Sequence, residues 1–216
     1  MKIFAISGLG ADERVFQYLS LNAELVHVKW LAPKNKEPIE AYAKRLVEKY
    51  QIGKEKHFGL LGVSFGGLVA VEISKLVQPS VTVLISSVET RTEIRPLIRY
   101  IGKTKIIELL PPSFLRLPKP LAQYLFGTKK KDLLHAILDD SDPHFTKWAL
   151  RELMNWNNKT KPPNLINISG TKDKLLPPKV GNNYLIQQGQ HFMIVDRAKE
   201  ISTLINQQLT NIISIE

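Results

Sequence analysis

Gly62-Val63-Ser64-Phe65-Gly66-Gly67 places a serine between glycines two residues to either side. An apolar run, His57-Phe58-Gly59-Leu60-Leu61, leads in, and Leu68-Val69-Ala70-Val71-Glu72-Ile73 leads out. A serine on a sharp strand-to-helix turn is held in strained backbone geometry with its hydroxyl exposed, as a nucleophile requires. Such a turn brings strand and helix too close for side chains two residues away, which accounts for Gly62 and Gly66. The helix that follows turns its free N–H groups and positive dipole end toward any charge developing there. The pattern alone would also suit a tight turn with a solvent-facing serine. A base and an acid must complete it.

Two downstream loops supply them. Ile166-Asn167-Ile168-Ser169 reads as a strand, Gly170 as its exit, and Thr171-Lys172-Asp173-Lys174 as a loop carrying an acid. Tyr184-Leu185-Ile186-Gln187-Gln188 is a further short strand, followed by Gly189-Gln190-His191-Phe192. Ser64, Asp173 and His191 each follow a strand's carboxyl end, where a parallel sheet keeps its ligand crevice. Singly, Asp173 is also an ordinary turn aspartate, and His191 a loop histidine packing on Phe192. Taken together, in the order nucleophile, acid, base, they form an acyl-transfer site.

With these motifs the chain resembles proteins of the α/β-hydrolase fold. It is most similar to short hydrolases that open, as here, with Gly8-Leu9-Gly10-Ala11-Asp12-Glu13-Arg14-Val15-Phe16. The likeness covers both ends of the chain and fades between about residues 90 and 160, where such proteins carry a variable lid. Two positions depart from the usual pattern: Ser7-Gly8 stands for His-Gly, and Gly189-Gln190-His191 for Gly-Gly-His. Neither removes a backbone donor or one of the three site residues. The resemblance implies a doubly wound, predominantly parallel sheet of six strands, lacking the first two strands of the family, in the order 2-1-3-4-5-6. It also implies a helical cap inserted after the fourth strand. The expected division is a discontinuous core of residues 1–88 and 162–216, with a lid of residues 89–161.

The elements needed to position these residues can be read from periodicity. Strand-like runs span residues 2–7, 25–31, 57–62, 81–86, 164–169 and 184–188, and helical patterns separate them. Ile39, Tyr42, Ala43, Leu46, Val47 and Tyr50 mark one amphipathic helix, with Pro38 at its start. Ala198, Ile201, Leu204, Ile205, Leu209 and Ile212 mark the last. The run from Phe65 to Val77 is apolar on nearly every face, as a buried helix behind the nucleophile would be. Beyond Glu89 the strand signal stops and short helical patterns follow one another to Lys161. Asp142-Pro143 offers an N-cap and first-turn proline for a helix carrying Phe145, Trp148 and Trp156.

Two backbone donors are needed to hold an oxyanion. Phe65, directly after the nucleophile, is one candidate; Leu9, between Gly8 and Gly10, is the other. A dinucleotide reading of Gly8-Leu9-Gly10 fails because Glu13 stands where a small residue is needed. Glu89, just past the fourth strand, is an alternative acid to Asp173, its plainer role being a loop charge at the lid hinge. The apolar lid residues Leu97, Ile101, Leu110, Phe114, Phe145 and Trp148 are the candidate lining of a substrate pocket. The two tryptophans also suit a lid core. Asp12 suits a helix cap near Arg14, and Asp196 the start of the last helix.

Composition narrows the classes. At 216 residues the chain holds one core plus an insertion rather than two independent domains. It has no cysteine, which excludes disulfides, thiolate metal sites and a cysteine nucleophile and fits a reducing, cytoplasmic setting. The five histidines show no paired metal-ligand spacing, so neither metal nor cofactor is expected. The short apolar start at Ile3 loosely resembles a signal peptide but lacks a cleavage pattern and is better used as the first strand. No apolar run approaches the roughly 20 residues that span a bilayer, so stable membrane insertion is not expected. The formal charge of +10 raises nucleic acid as a partner. Its one compact cluster, Lys129-Lys130-Lys131, lacks interleaved aromatics, and a lysine-rich solvated surface explains it better. The expectation is a serine hydrolase acting on a small-molecule acyl substrate, with no inference as to oligomeric state. Two rivals remain: a catalytically silent protein of the same fold that binds a ligand or partner, and a lid-mediated lipid-surface binder.

Overall fold

In a computed structural model, which describes residues 1–179 and 183–213, the apolar runs become six strands of one sheet. These are β1 (Lys2–Ile6), β2 (Glu24–Val28), β3 (Phe58–Val63), β4 (Val81–Ile85), β5 (Leu165–Gly170) and β6 (Asn183–Ile186). They lie in the expected order β2-β1-β3-β4-β5-β6, and every neighbouring pair is parallel. The order reverses between β1 and β3. Crevices form at such switch points, beyond the carboxyl ends of the strands, and the loops after β1 and β3 flank this one. The second strand is shorter than its apolar run suggests. Past Val28, Lys29 N–H and Leu31 N–H donate to the hydroxyls of Tyr50 and Tyr42 at 3.0 and 2.8 Å, so this backbone pairs with a helix rather than with β1. The last strand likewise stops at Ile186, because Gly189 N–H turns back onto the Ile186 carbonyl at 3.0 Å.

Alternation along each strand divides the interior in two. Phe4, Ile6, Leu60 and Leu84 face α1 (Ile39–Tyr50) and α2 (Phe65–Leu76). Ile3, Ala5, Leu61, Val83 and Ile168 face the opposite way, toward Val15 and Phe16 and the last helices of the chain. Ten of the twelve residues of α2 are buried, as its all-round apolar sequence requires.

Between β4 and β5 the chain forms five helices: α3 (Pro96–Lys103), α4 (Ile106–Leu109), α5 (Lys119–Phe126), α6 (Lys131–Asp140) and α7 (Pro143–Asn155). Asp142 caps α7 by accepting from His144 N–H at 2.8 Å, with Pro143 in its first turn. Phe145, Trp148 and Ala149 of α7 join the α1–α2 side of the core. Ala122 of α5, with Leu134 and Ile137 of α6, joins the other side. The insertion therefore straddles the carboxyl edge of the sheet. After β6, α8 (Met193–Asp196) and α9 (Ala198–Ile213) close the second layer; the side chain of Ile212 lies outside the described residues. Asp196, expected at the start of the last helix, instead ends α8, and its carboxylate accepts from Lys129 N–H of the insertion.

Candidate active site

Ser64 sits on the turn from β3 to α2 with φ 52° and ψ −121°. A positive φ is strained for a residue with a Cβ, and it persists only where the surroundings over-determine it. Here they do. Ser64 N–H donates to the Ile85 carbonyl at 3.0 Å, and its own carbonyl accepts from Ser87 Oγ at 2.7 Å. A Cβ on Gly66 would lie 2.1 Å from the Ser7 carbonyl oxygen, and one on Gly62 would lie 2.5 Å from Gly67 Cα. The two glycines let the start of α2 press against the ends of β1 and β3.

The loops after β5 and β6 are locked to one another, and that fixes the other two residues. Lys172 N–H donates to the Gly189 carbonyl at 2.8 Å, and Thr171 N–H to that of Ile186 at 3.1 Å. A Cβ on Gly170 would come within 2.3 Å of the Gly189 carbonyl oxygen. Asp173 Oδ1 accepts from the N–H groups of Leu175 and Leu176, each at 2.9 Å. That leaves Oδ2 for His191 Nδ1, at 2.8 Å. The other ring nitrogen, Nε2, lies 2.9 Å from Ser64 Oγ. The three residues, far apart in sequence, thus form one unbroken hydrogen-bonded line. The Asp173 and His191 side chains are almost wholly buried, which strengthens their mutual attraction.

Both departures noted in the sequence have a structural use. Ser7 Oγ donates to the Ala11 carbonyl at 2.7 Å and, with Ala11 N–H on the Gly8 carbonyl at 3.0 Å, closes the loop that carries Leu9. Gln190 packs against Gly127, where a Cβ would stand 1.6 Å from its Oε1. Phe126 N-terminal to that glycine meets the His191 ring edge-on at 5.3 Å, and its carbonyl accepts from Phe192 N–H at 3.1 Å. Nothing in the local sequence marks Phe126 for this contact. Its one signal is Gly127, which ends α5 in a left-handed conformation.

Leu9, Phe65, Ser64 and His191 line one cavity of about 380 Å³. Phe65 is the first residue of α2, so its N–H is among the helix's free first-turn donors. The insertion supplies most of the remaining wall, including Ile98, Leu115, Leu117, Ile137, Leu150 and Met154.

None of the six lid residues expected to line the pocket is part of this wall. Leu97 and Phe114 are solvent-exposed, and their neighbours Ile98 and Leu115 point inward in their place. Ile101 and Leu110 are likewise off the cavity surface. Trp148 is buried in the core, its ring tilted against that of Tyr42 at 4.3 Å with its indole N–H on the Glu37 carbonyl at 2.8 Å. Phe145 packs on Trp30 at 4.8 Å and borders a separate cleft of about 300 Å³ beside Asp12. For Leu97 and Ile101 on α3 the reason is rotational. Gly102 lies so close to Met154 of α7 that a Cβ would meet it at 2.8 Å, and this contact sets which side of α3 faces inward.

Glu89 is buried but stands apart from His191. Its Oε1 accepts from Asn167 Nδ2 at 2.8 Å, its other oxygen pairs with Lys161, and its carbonyl accepts from Asn158 Nδ2 at 2.8 Å. It stitches the two ends of the insertion together. Asp12 caps the short helical turn at Glu13–Phe16, accepting from Arg14 N–H at 3.0 Å. Among the described residues no group of three or more histidine or acidic side chains is placed to hold a metal.

The sequence matches no protein-family model and no curated protein. Solved structures do match over nearly the whole chain. An esterase from Exiguobacterium antarcticum aligns with a TM-score of 0.69 at 18% identity, over 96% of this chain and 91% of its own. A meta-cleavage product hydrolase from Pseudomonas fluorescens aligns with a TM-score of 0.69 at 12% identity, over 98% and 91%. A structure from a study of carboxylesterases of Nitrososphaera gargenis aligns with a TM-score of 0.68 at 11% identity, over 100% and 92%. Sheet order, whole-chain coverage and these neighbours together establish that the chain has the α/β-hydrolase fold.

Proposed function

We propose that this protein is a serine hydrolase that cleaves a carboxylic ester, thioester or amide through an acyl-enzyme. The observation that carries the reading is the hydrogen-bonded line from Ser64 Oγ through His191 to Asp173 Oδ2. His191 Nε2 takes the Ser64 proton as Oγ attacks the substrate carbonyl carbon, then gives that proton to the departing alcohol, thiol or amine. A water, deprotonated by the same nitrogen, attacks the acyl-enzyme and releases the acid. Asp173, its second oxygen held by two backbone donors, keeps the imidazole in one tautomer and stabilises the imidazolium. The N–H groups of Phe65 and Leu9 receive the oxyanion. The largely apolar cavity suits an acyl chain, and the helical insertion over it acts as a lid that selects the substrate. Neighbours described as esterases and hydrolases support hydrolysis over silent ligand binding. A cysteine-free chain suits the cytoplasm.

Labelling with a fluorophosphonate tests this. The expected outcome is a single adduct on Ser64, with Ser64→Ala folded and unlabelled. A folded wild-type protein that takes up no label would instead be a silent binding protein. Undiminished labelling of Ser64→Ala at another serine would overturn the assignment.

A further inference from the structure

The outer face of the insertion presents large apolar side chains to solvent. Leu97, Tyr100, Ile106, Leu109 and Phe114 are 69%, 67%, 48%, 83% and 76% exposed. They share a layer, because α3, α4 and the turn Pro112–Leu115 all pack on α7, and the side chains that do not face α7 are turned outward. Large apolar side chains exposed together in one layer are uncommon unless something covers them.

Charge identifies the cover. From residue 95 to 116 the cations Arg95, Arg99, Lys103, Lys105 and Arg116 stand against one acid, Glu108. Among the described residues Arg95, Lys103 and Lys105 are exposed and form no ion pair. A second copy of the chain would bring two cationic faces together. A nucleic acid would use the cations and leave Leu109 and Phe114 in water. An anionic lipid surface satisfies both at once, taking the apolar side chains among its acyl tails and the cations among its headgroups.

We propose that this face docks the protein peripherally on anionic bilayers. No described helix is long and apolar enough to cross a membrane, so the contact is one of surface adsorption. The same segment joins the docking face to the cavity: Phe114 points out, while Leu115 lines the cavity that also holds Ser64. An apolar substrate leaving the lipid would therefore have the pocket directly behind the contact. Docking itself needs no catalysis and stands independently of the proposed hydrolase activity.

The test is co-sedimentation of the Ser64→Ala protein with vesicles of phosphatidylcholine alone, or of phosphatidylcholine with about 30% phosphatidylglycerol. Binding is expected only with phosphatidylglycerol, and should weaken as salt screens the cations. Substituting Arg95→Gln, Lys103→Gln and Lys105→Gln should each weaken it by about fivefold, and Leu109→Ser with Phe114→Ser should weaken it further. All five positions are exposed and outside the cavity, so fluorophosphonate labelling of Ser64 in the otherwise unaltered variants should persist. That labelling separates a failure of docking from a failure of the hydrolase reading. Absence of binding, or equal binding to both vesicles, would overturn the proposal. So would a concentration-dependent dimer, seen by sedimentation velocity, that is lost in Leu109→Ser with Phe114→Ser, because the face would then be covered by a second copy.

Discussion

At Ser64, Asp173 and His191, side-chain identity and backbone geometry impose one another. Ser64 can keep a positive φ only because Gly62 and Gly66 leave room for β3 and α2 to converge. Asp173 reaches His191 only because Gly170 and Gly189 let the β5 and β6 loops touch. Glu89 and Asp173 both follow strand ends, yet their carboxylates are committed differently. Asp173 spends one oxygen on backbone donors and one on His191, whereas Glu89 spends both on Asn167 and Lys161. Asp173→Asn should therefore lower kcat by several orders of magnitude, up to about 10⁴-fold as in the serine protease triad. Glu89→Gln should lower it far less and should show mainly as lost stability. Rates on a chromogenic ester with matched unfolding curves measure both, and the reverse ranking would move the acid to Glu89. These positions were legible in the sequence because each motif carries its own steric reason: a glycine where a Cβ cannot fit, and a polar residue just past an apolar run. Phe126 was not legible, since an aromatic on a helix gives no sign that it will meet a histidine about sixty-five residues later.

The strands and long helices were equally legible, because period-2 and period-3.6 patterns report directly which faces are buried. The short helices of the insertion were not. With fewer than about three turns, apolar residues occupy both faces, and the side that turns inward is chosen by packing on a neighbour. For α3 the choice rests on Gly102 against Met154, a contact between residues more than fifty positions apart. One residue's rotation exchanges Leu97 for Ile98 and Phe114 for Leu115. The consequence is measurable as substrate preference. Leu115→Ala and Leu150→Ala, which enlarge the cavity wall, should shift relative kcat/KM toward longer acyl chains by about 1–3 kcal/mol per methylene-scale change. Leu97→Ala and Phe114→Ala should leave the preference for dissolved esters unchanged. A chain-length series of water-soluble p-nitrophenyl esters distinguishes the two pairs. An effect confined to Leu97 and Phe114 would mean that the insertion closes on substrate with its other face inward.

Taken as a whole, the molecule is a two-sided core with a helical insertion riveted to it, and the rivets are polar. On one side Glu152 of α7 accepts from Ile39 N–H at the start of α1 at 2.9 Å, while Trp148 and Arg151 both donate to the Glu37 carbonyl at 2.8 Å. A carboxylate there also favours the positive end of the α1 dipole. Where the insertion begins, Glu93 accepts from the N–H groups of Glu89 and Thr90 at 3.2 and 3.0 Å, closing the capping box of the turn Arg91–Glu93. Burial is the largest influence on both carboxyls and raises each above its ordinary value near 4.5; the charge of Glu89 pushes Glu93 further the same way. An acid whose pKa is raised by folding binds more protons in the native state than in the unfolded one. Its contribution is therefore most favourable below the ordinary carboxylate range and declines as pH rises from about 4.5 through the raised folded values. Relative to the variant carrying Glu93→Gln and Glu152→Gln, which keeps amide oxygens to accept the same backbone donors, wild-type stability should fall across that window and then level off. Urea unfolding at a series of pH values from acid to neutral reads the difference directly. A difference that grows with pH would mean that Arg151 and the backbone donors stabilise these carboxylates by more than burial costs them, and would reverse the sign assigned to both carboxyls.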